Sequence, residues 1–216
     1  MLYSFSERYV LMTENELPLF DGVSYIPAGN EPLSADIGVF RCRSGIWLFD
    51  AGYGEKPLKA VQALGTDLTV VISHFHQDHM GNVPQLPIKS LYGGGFTVKK
   101  LGFGNEVKED VCIEDGLLMH ILPLPSSHAK GSLCLEVNEK YVFTGDGLGG
   151  AMVKGEYCHN VGMLKECINT LKRLKAEYVI QSHRFDQILP KQEVIDRLEK
   201  LYACREKNNS YIIIKE

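Results

Sequence analysis

The chain has 216 residues, 44% hydrophobic and 23% charged, with 23 Lys+Arg against 27 Asp+Glu and a formal net charge of −4. A globular chain of this size buries roughly 70% of its unfolded surface and needs no disulfide framework. The mild acidity gives no basic stripe for nucleic acid, and no segment approaches the ~18 consecutive apolar residues of a membrane span.

Residues 1–8 lack the basic leader and apolar stretch of a signal peptide. The cysteines, Cys42, Cys112, Cys134, Cys158, Cys167 and Cys204, form no C-x-x-C pair. They are expected to be reduced thiols, mostly small core hydrophobes, in a cytoplasmic protein.

In chain order, residues 9–12 read as a short strand, followed by an acidic, proline-containing stretch at 14–18. Val23–Ile26 reads as a strand ending at Pro27, and 35–43 with 46–49 as a hairpin turning at Ser44-Gly45. The second arm runs into Asp50-Ala51-Gly52. Pro57 opens a helix over 58–64. Leu68–Ile72 is a continuous apolar run that suits a strand covered on both faces. Short strands follow at 90–92, 116–122, Leu133–Val137 and Tyr141–Phe143, the last two joined by Asn138-Glu139-Lys140. Apolar positions 161, 164, 168, 171 and 174 have the 3–4 spacing of an amphipathic helix. Tyr178–Ile180 reads as a strand and Lys191–Ala203 as a second amphipathic helix. The apolar tail at 211–214 is either an edge strand or a contact to a second subunit in a homodimer. Two strand groups, each followed by helix, imply two sheets with helices outside. No linker or repeat divides residues 1–216, so a single domain is expected.

Directly after the buried strand come His74, His76, Asp78 and His79, an H-x-H-x-D-H pattern within six residues. Imidazole and carboxylate are zinc's preferred nitrogen and oxygen donors. Three imidazoles so close repel one another when protonated unless a metal or carboxylate compensates. A loop just past a strand's carboxyl end is also where α/β sheets gather ligands. His120 reads as a strand histidine. Gly93-Gly94-Gly95 lacks the strand-to-helix context of a phosphate loop.

With these residues the chain resembles the metallo-β-lactamase superfamily, whose signature is H-x-H-x-D-H. Leu48-Phe49-Asp50-Ala51-Gly52 is similar to its strand-Asp-x-Gly segment. His128, Asp146 in Phe143-Thr144-Gly145-Asp146, and His183 match the remaining motif positions in order. Ser126-Ser127 stands where Pro-Gly is common, and Arg184 where a glycine is frequent. The resemblance implies an α/β (α+β) fold, the four-layer αββα sandwich. It implies one metal on His74, His76 and His128, a second on Asp78, His79 and His183, and Asp146 bridging them. Asp78 and Asp50 are the carboxylates it assigns to catalysis, Asp50 by orienting a ligand histidine. Two divalent ions, zinc or else manganese or iron, would supply a bridging hydroxide to attack a thioester, lactone or other ester of a small molecule. Arg184, His159 and Tyr157 are candidate substrate contacts. The same donors would also serve a mononuclear iron sulfur dioxygenase, a phosphodiesterase or nuclease, or a metal-binding module without turnover.

Overall fold

The computed structural model describes residues 12–20 and 22–214. Most of the strand expected at 9–12 lies outside them, and Met12 itself is irregular. Two sheets dominate. The first has seven strands in the order Leu17–Phe20, Val23–Ile26, Ile37–Cys42, Gly45–Phe49, Leu68–Ile72, Ile88–Gly93 and Asn105–Glu106. The second has six, in the order Val111–Glu114, Leu118–Pro123, Leu133–Val137, Tyr141–Phe143, Tyr178–Ile180 and Ile188–Pro190.

Side-chain alternation explains the layering, because successive residues of a strand face opposite sides. Trp47, Phe49 and Val71 point inward to meet Leu133, Leu135, Val137, Phe143 and Ile180 from the second sheet. Leu48, Val70 and Ile72 point outward against Ala60 and Val61 of the helix Glu55–Gln62. On the far side Cys134, Val142 and Val179 pack against Leu164, Ile168 and Leu171 of Val161–Arg173 and Val194, Ile195 and Leu198 of Lys191–Ala203. The result is helix, sheet, sheet, helix. Both faces of the central strands are covered, which is why they read as unbroken apolar runs. All six cysteines are free. Among the described residues no helix is long and apolar enough to cross a membrane.

Two parallel pairings bring strand ends together. Gly45–Phe49 pairs with Leu68–Ile72 in the first sheet, and Tyr141–Phe143 with Tyr178–Ile180 in the second. Their four carboxyl ends open at one edge of the sandwich.

Several elements differ from the sequence reading. Glu156–Asn160 forms a small sheet with Ala151–Val153 and Tyr211–Ile213. The apolar tail is therefore an edge strand of its own chain, with Ile212 buried. Gly93-Gly94-Gly95 does have a strand-to-helix context, from Ile88–Gly93 into Gly95–Leu101. A Cβ on Gly94 would lie 1.9 Å from the Gly131 carbonyl oxygen, so the glycines allow one backbone to press on another.

The inter-sheet core centres on Phe143, whose ring lies 5.2 Å from Phe40, 5.8 Å from Phe49 and 5.3 Å from Phe185. Truncation there leaves a cavity the two sheets cannot close. Phe143→Ala should cost about 3–5 kcal/mol in urea unfolding.

Near the first sheet's edge, the buried Glu16 carboxylate accepts hydrogen bonds from Ser24, from the Thr13 N–H and from Arg41 at 2.6 Å. Burial opposes its charge, but these donors outweigh it and hold the carboxyl below its ordinary range. A depressed folded pKa gives stability that is complete above the unfolded value, about 4.3, and lost as pH falls through the folded one. The melting temperature should drop on acidification below about pH 4.3, and Glu16→Gln should flatten that drop.

Candidate metal centre

Every residue of the site follows a strand end or begins a helix turn. Leu68–Ile72 delivers Ser73 and His74, and His76 is the extended N-cap residue of the short helix Gln77–Met80. His74 and His76 fall in one donor group, while the helical turn carries Asp78 and His79 into the other. Tyr141–Phe143 runs into Asp146, and Tyr178–Ile180 into His183. His128 comes from the loop after Leu118–Pro123.

Two conformations there are unusual for side-chain-bearing residues: Asp50 has φ 68° and His183 φ 63°. Such left-handed backbone costs free energy at non-glycine residues and persists where surrounding packing enforces it. It also occurs in this chain outside the site, at Asp67, Asn138, Glu139, Lys154 and Asn208. Gly145 also has a positive φ, 54°, and a Cβ there would lie 2.6 Å from Ser73 Cβ and Oγ. Only glycine lets the strand end carrying Asp146 approach the one carrying His74.

The side chains converge in two groups. In one, His76 Nδ1 lies 3.0 Å from His74 Nε2 and 3.0 Å from His128 Nε2. In the other, Asp78, His79, Asp146 and His183 each place a donor atom within 4.8 Å of the rest. Asp146 Oδ2 belongs to both neighbourhoods, at 3.3 Å from His79 Nε2, 3.7 Å from His183 Nε2 and 3.5 Å from His128 Nε2. Asp78 Oδ2 lies 3.2 Å from His183 Nε2 and 3.4 Å from His79 Nε2. Tetrahedral ligands at zinc's ~2.0–2.1 Å bond length stand about 3.3 Å apart. The observed spacings match that edge length.

The outer hydrogen bonds decide which nitrogen faces inward. Asp50, fully buried, accepts from the Ser73 N–H at 2.7 Å, from Ser73 Oγ at 2.9 Å and from His79 Nδ1 at 2.8 Å. Ser73 Oγ in turn lies 3.0 Å from His74 Nδ1, and His128 Nδ1 donates to the Gly150 carbonyl at 3.2 Å. These bonds leave the Nε2 lone pairs of His74, His79 and His128 turned inward, the arrangement of metal-binding histidines.

Electrostatics agree. Burial, then the neighbouring imidazoles, push His74 down to about 2, so it is neutral. Burial lowers His76 as well. Burial opposes ionisation of Asp78 and Asp146, yet His183 and His79 pull Asp78 far below the carboxylate range and His79 holds Asp146 at about 2. His79 moves up despite burial because Asp50, Asp146 and Asp78 face it, and His183 moves up through Asp78. Ionised carboxylates thus meet imidazole lone pairs, and a proton or a cation must lie between them. Neutral imidazole and ionised carboxylate are the forms that bind a divalent ion, so these residues fit two such ions.

The substrate candidates fare differently. Tyr157 is 43% exposed and its Oη accepts the Gly150 N–H at 2.7 Å, directly behind His128. His159 is buried in the same strand, which lowers its pKa, and its ring lies edge-on to Tyr157. Arg184 is exposed beside His183. Sequence reading missed the positioning partners. Ser126 Oγ accepts the His128 N–H and Ser127 Oγ the Asn160 N–H, so the two serines brace the His128 loop. A short hydroxyl beside a metal-type histidine was the available signal.

No protein-family profile matches the sequence, and no curated protein is significantly similar. Solved structures are. A B3 metallo-β-lactamase with an active-site glutamic acid aligns with TM-score 0.66 and 13% identity over 89% of this chain and 90% of that chain. An archaeal metallo-β-lactamase superfamily protein from Sulfolobus tokodaii aligns with TM-score 0.59 and 20% identity over 87% and 89%. Rubredoxin oxygen:oxidoreductase from Desulfovibrio gigas aligns with TM-score 0.68 and 12% identity, this chain spanning 63% of that protein. The chain has the metallo-β-lactamase fold.

Asp50→Asn keeps the shape but cannot accept all three donors as an anion. It should weaken divalent-ion affinity by about 10–100-fold in a chelator competition. Gly145→Ala should lower both affinity and melting temperature, because the added methyl forces Ser73 away from Asp50.

Proposed function

We propose that the chain is a binuclear metal-dependent hydrolase of the metallo-β-lactamase superfamily that cleaves a thioester, lactone or other ester of a small molecule. We assign His74, His76 and His128 to one ion, Asp78, His79 and His183 to the other, and Asp146 to both. The observation that carries this reading is the position of Asp146 Oδ2, within 3.3–3.7 Å of imidazole nitrogens from both groups. The H-x-H-x-D-H motif on this fold supports it further.

When bound, two divalent ions supply hydroxide near neutral pH and polarise a substrate carbonyl. The chain's part is to hold geometry and charge. Asp50 and Ser73 fix the Nδ1 protons of His79 and His74, so those rings cannot turn. Asp78 and Asp146, both ionised, balance the cationic charge. No protein nucleophile is needed. Zinc suits the donors best, through its preference for imidazole with carboxylate.

The likeness to rubredoxin oxygen:oxidoreductase supports a second reading, an iron-dependent oxidoreductase, because the same donors suit iron. Its signature would be iron in the purified protein and oxygen consumption.

Elemental analysis should find about two divalent ions per chain. His128→Ala and His183→Ala should each reduce that to about one, since they belong to different groups. Metal-loaded protein should hydrolyse members of an esterase, lactonase and thioesterase panel. Absence of metal, with no thermal stabilisation by zinc or manganese, overturns the assignment. Silence across the panel with metal loaded overturns the hydrolase.

A further inference from the structure

A buried carboxylate that the metal assignment does not use joins two segments beside the group of Asp78, His79 and His183. Asp36 stands one residue before the strand Ile37–Cys42 and is only 3% exposed. Its two oxygens serve different parts of the chain. Oδ1 accepts the Ala28 N–H at 2.8 Å, and Oδ2 accepts the Phe185 N–H at 3.3 Å. Phe185 comes two residues after His183. That bond matters because His183 lies in a loop of the second sheet, between Tyr178–Ile180 and Ile188–Pro190, with left-handed backbone. Before His183, the Ser182 N–H donates to the Gly145 carbonyl at 3.2 Å. After it, the Gln187 N–H bonds back to the Arg184 carbonyl at 2.9 Å, and the buried Phe185 ring packs on Phe143. Asp36 supplies the tie from the first sheet, and with it the acceptor that the Phe185 N–H needs in this core.

The preceding residue reaches another member of the same donor group. Ala35 donates its N–H to the Asp78 carbonyl at 3.0 Å. The hairpin of Gly29–Asn30 and Leu33–Ser34, whose base Asp36 closes through Ala28, lies against the short helix Gln77–Met80. Ala35 and Asp36 thus hold the backbone of Asp78 and of the His183 loop, and the side chains of those two donors meet at 3.2 Å. The three-histidine group is braced by other means. Ser73 Oγ lies beside His74 Nδ1, the Gly150 carbonyl accepts from His128 Nδ1, and Ser126 accepts the His128 N–H. Among the described residues, neither Ala35 nor Asp36 hydrogen-bonds to His74, His76 or His128. Asp50, by contrast, serves both groups, through Ser73 and through His79.

We infer that Asp36 is a positioning residue for one ion of the pair. It fixes the His183 loop and, with Ala35, the Asp78 backbone, so the group of Asp78, His79 and His183 depends on it and the three-histidine group does not. This rests on the assignment of the two donor groups to separate ions. Asp36 acts through the backbone of the donors and is not itself a ligand.

Asp36→Asn tests this with little change of shape. The amide offers one acceptor oxygen, and its nitrogen donates, so one of the two N–H groups must face another donor. Zinc affinity is measured by chelator competition in the His128→Ala and His183→Ala backgrounds, each of which keeps one donor group intact. Asp36→Asn should weaken zinc binding about tenfold in the His128→Ala background, as loss of an outer support does. In the His183→Ala background it should leave the affinity unchanged. In the otherwise unmutated chain it should keep one zinc at the parent affinity and bind the second about tenfold more weakly. Amide hydrogen exchange at Phe185 or Ala28 should quicken in the metal-free variant. Glu16→Gln, which alters a different buried carboxylate of the first sheet, should leave both affinities unchanged. An equal loss in both backgrounds, the mark of a merely structural role, overturns the inference, and so does an unchanged affinity in the His128→Ala background. A loss confined to that background upholds it even if no ester or thioester is cleaved, and such silence counts against the hydrolase alone.

Discussion

Two carboxylates and five imidazoles cannot share one cleft unless positive charge lies among them. That constraint organises this molecule. Asp50, Asp78 and Asp146 raise the pKa of His79, and Asp78 that of His183, while burial and the neighbouring rings lower that of His74. A divalent ion among these groups would meet imidazole lone pairs and carboxylates together. The buried Asp50 turns the constraint into geometry. By taking both the backbone and hydroxyl protons of Ser73 and the Nδ1 proton of His79, it ties the first sheet's strand ends to the donor set.

The sandwich makes such a junction possible. Parallel pairing in each sheet brings two carboxyl ends side by side, and the packed inter-sheet core sets the two pairs against each other. Close approach has local requirements. Gly145 carries no side chain where Ser73 would be struck, Gly94 gives way to the Gly131 carbonyl, and Asp50 and His183 adopt left-handed backbone. Such conformations persist because the surrounding core over-determines them. The same close approach that strains the backbone brings the side chains of the two groups together.

Much of this was legible in the amino-acid order. The central strands announced themselves as apolar runs because both faces are covered, and the helices at Val161–Arg173 and Lys191–Ala203 through their 3–4 spacing. The donors His74, His76, Asp78 and His79 stood out by crowding, while His128, Asp146 and His183 were located by resemblance and order. Less was legible where meaning depends on what arrives from elsewhere in the chain. Ser73, Ser126 and Ser127 look like ordinary loop serines until Asp50, the His128 amide and Asn160 reach them. The strand Ile188–Pro190 and the hairpin after Asp146 have too few residues and too weak an alternation to be read locally. The apolar tail at 211–214 was ambiguous because four residues cannot say which edge they join.

X-ray absorption at the metal edge of zinc-loaded protein tests the central claim most directly. The account predicts a mixed nitrogen and oxygen shell near 2.0–2.1 Å with imidazole scattering, and a metal–metal vector of about 3.5–4 Å. A shell without imidazole, or fully loaded protein with no metal–metal vector, would contradict it.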